Sequence, residues 1–109
     1  MRVLLDECVP KALRRRLVGH VARTVAEMNW RGLENGDLLH AMRAGGFEVL
    51  LTVDQNLRHQ QNLASAGVAI LVMIASSNRI ADLAPLLPST LAALSSIRPG
   101  DIVAVSENS

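Results

Sequence analysis

Val49-Leu50-Leu51-Thr52-Val53-Asp54 is an apolar run that does not alternate and that ends in an acid. Near the amino terminus, Arg2-Val3-Leu4-Leu5-Asp6-Glu7 has the same form. A strand with one face in water alternates apolar and polar residues, whereas a strand covered on both faces does not. Both runs therefore read as inner strands of a parallel sheet with helices on each side. In open parallel sheets, ligands bind beyond the carboxyl ends of the strands. Two such strands that both finish in carboxylate point to a cation site, or to other chemistry that needs clustered acid.

The rest of the chain alternates strand and helix signals around these two. Pro10 stands at a helix start, Leu13 and Leu17 mark one helical face, and Gly19 ends that helix. Val21 to Met28 is read as a short second strand, then a loop through Trp30, Gly32 and Asn35-Gly36. Leu38, Ala41 and Met42 have helical spacing up to the stop at Gly45-Gly46. Beyond the strand at 48–53 come a helix near 56–66, a strand at 68–74 and a helical region from Arg79 to Ile97 containing Pro85 and Pro88. The turn Pro99-Gly100 leads into a final strand over Asp101 to Val105. This order predicts one α/β domain over residues 1–105, a three-layer α/β/α sandwich around a mostly parallel sheet of about five strands, with a polar tail at 106–109.

Composition narrows the function classes. The chain has 109 residues, half of them hydrophobic, which suits one globular domain. Its only aromatic residues are Trp30 and Phe47, so a surface that stacks a series of bases is not expected. A net charge of +1 gives no global field to hold a polyanion, and any nucleic-acid contact must rest on a local patch. The single cysteine, Cys8, cannot form an intrachain disulfide and is read as a buried structural thiol in a reducing compartment. Acid at position 6 comes too early for a signal peptide, and no apolar run approaches the roughly 20 residues of a membrane span. A cytoplasmic protein is the expectation.

Asp6 and Glu7 fall at the mouth of the first strand, Asp54 at the mouth of the third, and Asp37 at the start of the helix between them. Neighbouring strands would bring Asp6 and Asp54 together, with Asp37 over the same crevice. Clustered carboxylates repel one another, and a hard divalent ion removes the conflict. Oxygen ligands favour Mg²⁺ or Mn²⁺, which suit phosphodiester hydrolysis. Taken singly, each acid has a plainer reading: Asp37 as a partner of the helix dipole, Asp54 as a helix N-cap.

These residues resemble the PIN-domain-like superfamily of metal-dependent nucleases, and within it a family of small bacterial proteins of unknown function. The resemblance runs over almost the whole chain. It rests on Leu4-Leu5-Asp6-Glu7, Gly36-Asp37, Leu51-Thr52-Val53-Asp54, Gly67-Val68-Ala69-Ile70-Leu71 and Pro99-Gly100-Asp101-Ile102-Val103. It implies ribonuclease chemistry on RNA, with Asp6, Asp37 and Asp54 as catalytic, Mg²⁺- or Mn²⁺-binding acids supported by Glu7 and Thr52. VapC-type toxins are the better-known relatives, which implies an antitoxin from a neighbouring gene as partner. The family pattern after the third strand is T-x-D-x-D-F, and here Asn56 and Leu57 replace its last two residues. The Asn56 amide oxygen can still ligate a cation in a supporting role but adds no negative charge, so weaker metal binding is expected, most of all for a second ion.

Lys11, Arg14 and Arg15 share one face of an α-helix at i, i+3 and i+4, where they would contact RNA phosphates or simply be solvated. The region Ile80 to Leu94 is read as core, with a homodimer or antitoxin surface as the alternative. Two other functions compete. A PIN-like module without catalysis would act through protein partners, which Asn56 favours. A phospho-receiver domain also carries acids after its first and third strands, but needs a lysine at the mouth of its last strands. Here the only lysine is Lys11.

Overall fold

The computed structural model describes residues 1–59 and 67–107. Five strands form one sheet: β1 (Arg2–Leu5), β2 (Val21–Thr24), β3 (Val49–Thr52), β4 (Ala69–Ile74) and β5 (Ile102–Ser106). Their order is β2-β1-β3-β4-β5, and every neighbouring pair is parallel. The sheet is thus wholly rather than mostly parallel. Three α-helices are described: α1 (Asn35–Ala44), α2 (Ile80–Leu83) and α3 (Leu87–Leu94).

The unalternating runs behave as their composition requires. All four residues of β3 are buried, and Val3, Leu4 and Leu5 of β1 have no exposed surface. Alternate residues feed two separate cores. Val3, Leu5, Val49 and Leu51 face a layer containing Leu13, Leu17, Leu83, Leu86 and Leu94. Leu4, Leu50 and Ile70 face the opposite layer, with Leu38 and Met42 of α1, Phe47 and Leu57. Burying one leucine side chain stabilises the fold by roughly 1.5–3 kcal/mol, and both faces of the inner strands contribute. The apolar region Ile80 to Leu94 supplies core, as Leu83, Leu86, Leu87 and Leu94 are buried.

Several helical expectations change. Lys11–Arg16 is a 3₁₀ helix, with Leu13 N–H bonded to the Pro10 carbonyl at 3.0 Å. Of the helix expected near 56–66, the described part lies in a 3₁₀ helix over Gln55–His59, and residues 60–66 lie outside the described residues. Between Arg79 and Ile97 the chain is broken into α2, a 3₁₀ turn over Ala84–Leu86, and α3. Pro85 and Pro88 each occupy the first turn of a new element, where the missing N–H costs nothing. β2 ends at Thr24 rather than running toward Met28, and β5 takes Ser106 from the expected tail, whose residues 108–109 lie outside the described residues.

The strand order creates one distinctive place. From β1 the chain leaves through the Leu13 layer toward β2, and from β3 it leaves through the Leu57 layer toward β4. Exits in opposite directions from adjacent strands open a crevice at their carboxyl ends, the usual binding position in doubly wound sheets. Among the described residues, no helix is long and apolar enough to cross a membrane.

Candidate functional site

The crevice between β1 and β3 holds the first and third acids. In the parallel register Leu5 is level with Leu51, and the Asp6 amide continues the ladder to the Leu51 carbonyl at 2.9 Å. Asp6 and Thr52 are then cross-strand neighbours on the α1 side. The Thr52 hydroxyl donates to Asp6 Oδ2 at 2.7 Å and accepts the Asp54 N–H at 3.0 Å. Its side chain is fully buried, so one hydroxyl links the two strand ends inside the protein. Thr52 was expected to support Asp54, and its side chain in fact bonds the Asp6 carboxylate as well.

Both acids are held by backbone donors too. Asp6 Oδ1 accepts the Glu7 amide at 2.9 Å. Asp54 Oδ1 accepts the Asn56 amide at 3.0 Å, so Asp54 caps the 3₁₀ turn that follows. Asn56 takes part through its backbone, while its side chain is exposed. Cys8 is not the buried thiol expected. The turn closed by Val9 N–H on the Asp6 carbonyl swings it back over the strand ends, where it is half-buried. Its Sγ lies 3.7 Å from Asp6 Oδ2 and 3.5 Å from Thr52 Oγ1. Asn78 Nδ2 bonds the Cys8 carbonyl at 2.9 Å and ties this turn to the segment after β4.

Glu7 is fixed from the opposite side. Its Oε1 accepts the Gly32 amide at 2.7 Å. Gly32 has φ +79°, a backbone conformation that side chains resist, so a glycine lets this amide reach the carboxylate. The loop carrying Gly32 is itself anchored, with Val25 N–H on the Leu5 carbonyl and Trp30 N–H on the Val25 carbonyl.

These elements enclose a cleft of ≈ 450 Å³, within the size range of ligand pockets. Its lining includes the polar side chains of Asp6, Glu7, Cys8 and Asp54 and the apolar ones of Trp30, Leu33, Leu38 and Leu57. Asp37 does not line it. That residue is exposed in the first turn of α1, where its charge complements the helix dipole, although the adjacent Leu38 reaches the cleft. Among the described residues, no group of three or more His, Cys, Asp or Glu side chains is arranged to hold a metal. Mg²⁺ does not require such a cage: one or two carboxylates suffice when water and phosphate oxygens complete the shell. The oxygen donors of Asp6 and Asp54 fit that pattern, and Thr52 fixes the first of them.

A second cleft, ≈ 390 Å³, lies across the Asp6–Glu7 wall and is lined by Lys11, Thr24 and Arg31 among others. Of the three basic residues expected to meet phosphate, Lys11 borders this cleft. Arg14 is instead paired with Glu27, Nη1 to Oε2 at 2.5 Å. Lys11, Arg14 and Arg15 do border a common shallow groove of ≈ 370 Å³. In a 3₁₀ helix, however, positions i and i+3 eclipse and i+4 is rotated away, unlike the α-helical face expected. Glu27 is held below the usual glutamate range, first by a hydrogen bond from the Thr24 amide and then by Arg14, against an opposing burial effect.

Trp30, Gly32 and Arg31 escaped the sequence reading of the site because a loop has no periodicity to give their direction. Thr24-Val25-Ala26-Glu27 carried a usable signal, the reciprocal capping pattern of a hydroxyl followed three residues later by glutamate. The structure has both bonds, Glu27 N–H to Thr24 Oγ1 at 3.0 Å and Thr24 N–H to Glu27 Oε1 at 2.8 Å. Comparison with family models, with curated proteins and with solved structures finds no match for the chain.

Proposed function

We propose that this chain is a Mg²⁺- or Mn²⁺-dependent ribonuclease with a PIN-like acidic site, in which Asp6 and Asp54 hold the ion. The observation that carries the proposal is the Thr52 bridge, which fixes Asp6 and the Asp54 backbone together at the switch point of the sheet. A divalent ion bound there supplies polarisation of a phosphoryl oxygen and a lowered pKa for attacking water. The protein supplies pre-organisation: Asp6 is oriented by Thr52, Cys8 and the Glu7 amide, and Asp54 by the Asn56 amide. Asp37, exposed on α1, belongs to the proposal only through the family resemblance, as does toxin activity countered by an antitoxin.

Calorimetric titration with Mn²⁺, paired with cleavage of single-stranded RNA, tests the proposal. One ion bound and cleavage lost at least 100-fold in Asp6→Asn are the expected results. Absence of metal binding, or cleavage indifferent to Asp6→Asn, overturns it; a folded chain that binds no metal is then a module acting through protein contacts.

A phospho-receiver is the second reading, favoured by the order 2-1-3-4-5, which receivers share. The chemistry opposes it, because Lys11 lies in the first 3₁₀ helix rather than at the mouth of β5. Incubation with acetyl phosphate and Mg²⁺ separates the two: a phosphoryl adduct on Asp54 establishes the receiver.

A further inference from the structure

The acids share the main cleft with an apolar set, Val25, Trp30, Leu33, Leu38 and Leu57. Trp30 is half-buried and forms a T-shaped pair with Phe47, with ring centroids 5.7 Å apart and planes at 76°. That contact holds the indole without removing it from the cleft. The indole N–H makes no hydrogen bond to a described residue and is open to solvent rather than buried. Leu33 at the rim is 38% exposed, one of only three large hydrophobic residues this open among the described residues. A half-buried indole and an exposed leucine beside carboxylates form an amphipathic subsite.

The surroundings select its occupant. Lys11 and Arg31 border the adjoining cleft across the Asp6–Glu7 wall, and neither has an ion-pair partner among the described residues. Apolar, acidic and cationic side chains thus meet around the Asp6–Glu7 edge, matching the base and the two flanking phosphates of a single strand. We infer that the Trp30–Leu33 wall is a nucleobase subsite that holds one unstacked base of single-stranded RNA, while Lys11 and Arg31 receive the neighbouring phosphate. The inference rests on the ribonuclease reading. A single aromatic face takes one base, in keeping with a chain too poor in aromatics to stack a series. Trp30 acts here by binding and positioning.

Trp30 is the only tryptophan and the chain has no tyrosine, so intrinsic fluorescence reports this wall alone. Stopped-flow mixing of the full chain with a short single-stranded RNA in Mg²⁺ reads binding before turnover. An abasic ribose-phosphate oligomer of equal length and charge is the comparison. Saturable change of Trp30 emission with RNA, and at least tenfold weaker response to the abasic chain, is expected. Leu33→Asp, an exposed change that leaves the core intact, should weaken RNA binding about tenfold. Trp30→Phe should retain most of the cleavage rate, whereas Trp30→Ala should raise KM roughly tenfold with kcat little changed. An equal response to both oligomers, or no response, overturns the subsite. Cleavage without a base-dependent signal removes the subsite and leaves the ribonuclease, whereas a base-dependent signal without cleavage does the reverse.

Discussion

Thr52 is a β-branched residue in an otherwise aliphatic strand, and its hydroxyl is fully buried with a donor and an acceptor role satisfied at once. Replacement by valine keeps the shape and removes both bonds. Thr52→Val should therefore lower stability by about 1–3 kcal/mol, since the Asp54 amide and an Asp6 oxygen lose their buried partner. Urea unfolding measures this loss, and an RNA cleavage assay on the folded fraction should show activity falling with it. A substitution that left both unchanged would mean that the two strand ends are aligned by the sheet alone. The role was partly legible in advance, because Thr52 and Asp54 are two residues apart and lie on one side of a strand. The bond to Asp6 was less so, as it depends on the register between β1 and β3, which no local pattern states.

At the scale of elements, the segment after β2 shows how a short signal outweighs a long one. The run Val21 to Met28 is apolar enough to suggest a longer strand, yet the reciprocal Thr24–Glu27 bonds turn the chain at Thr24. Glu27 also receives Arg14 from the first 3₁₀ helix, so one carboxylate joins two elements. Because its folded pKa lies below the ordinary value, its contribution is present above the unfolded pKa and is lost as pH falls through the folded one. The stability difference between the natural chain and Glu27→Gln should be about 1 kcal/mol at neutral pH and should shrink as pH falls below the ordinary glutamate range. Urea titrations across that range test the sign: a difference that grew on acidification would contradict it. The inner strands were the most legible elements, since Val3 to Leu5 and Val49 to Leu51 need two covered faces. The 3₁₀ form of Lys11–Arg16 was not, because apolar positions 13 and 17 fit an α-helix equally well.

For the molecule as a whole, the acidic crevice should couple metal to stability. An ion that binds only the folded chain stabilises it by about 2.7 kcal/mol at one hundred times its dissociation constant. Thermal unfolding should accordingly shift upward on addition of Mn²⁺, return with a chelator, and show no shift in Asp6→Asn. A rise of equal size in that variant would place the ion elsewhere. The α/β class was readable from the alternation of elements. The position of Asp37 was not, because the start of a helix says nothing about how far it stands from the neighbouring strand ends.

A wholly parallel sheet also gives the molecule two unlike poles. Every strand starts at one pole and finishes at the other, so Met1 enters far from the cleft while Ser106 leaves on its side, two strand spacings, or about 10 Å, from β3. Anchoring the protein to a solid support through Met1 should present the cleft to solution, whereas anchoring through Glu107 should crowd it. Immobilised RNA capture in the two orientations would register that polarity as a difference in accessible sites, with folding unchanged.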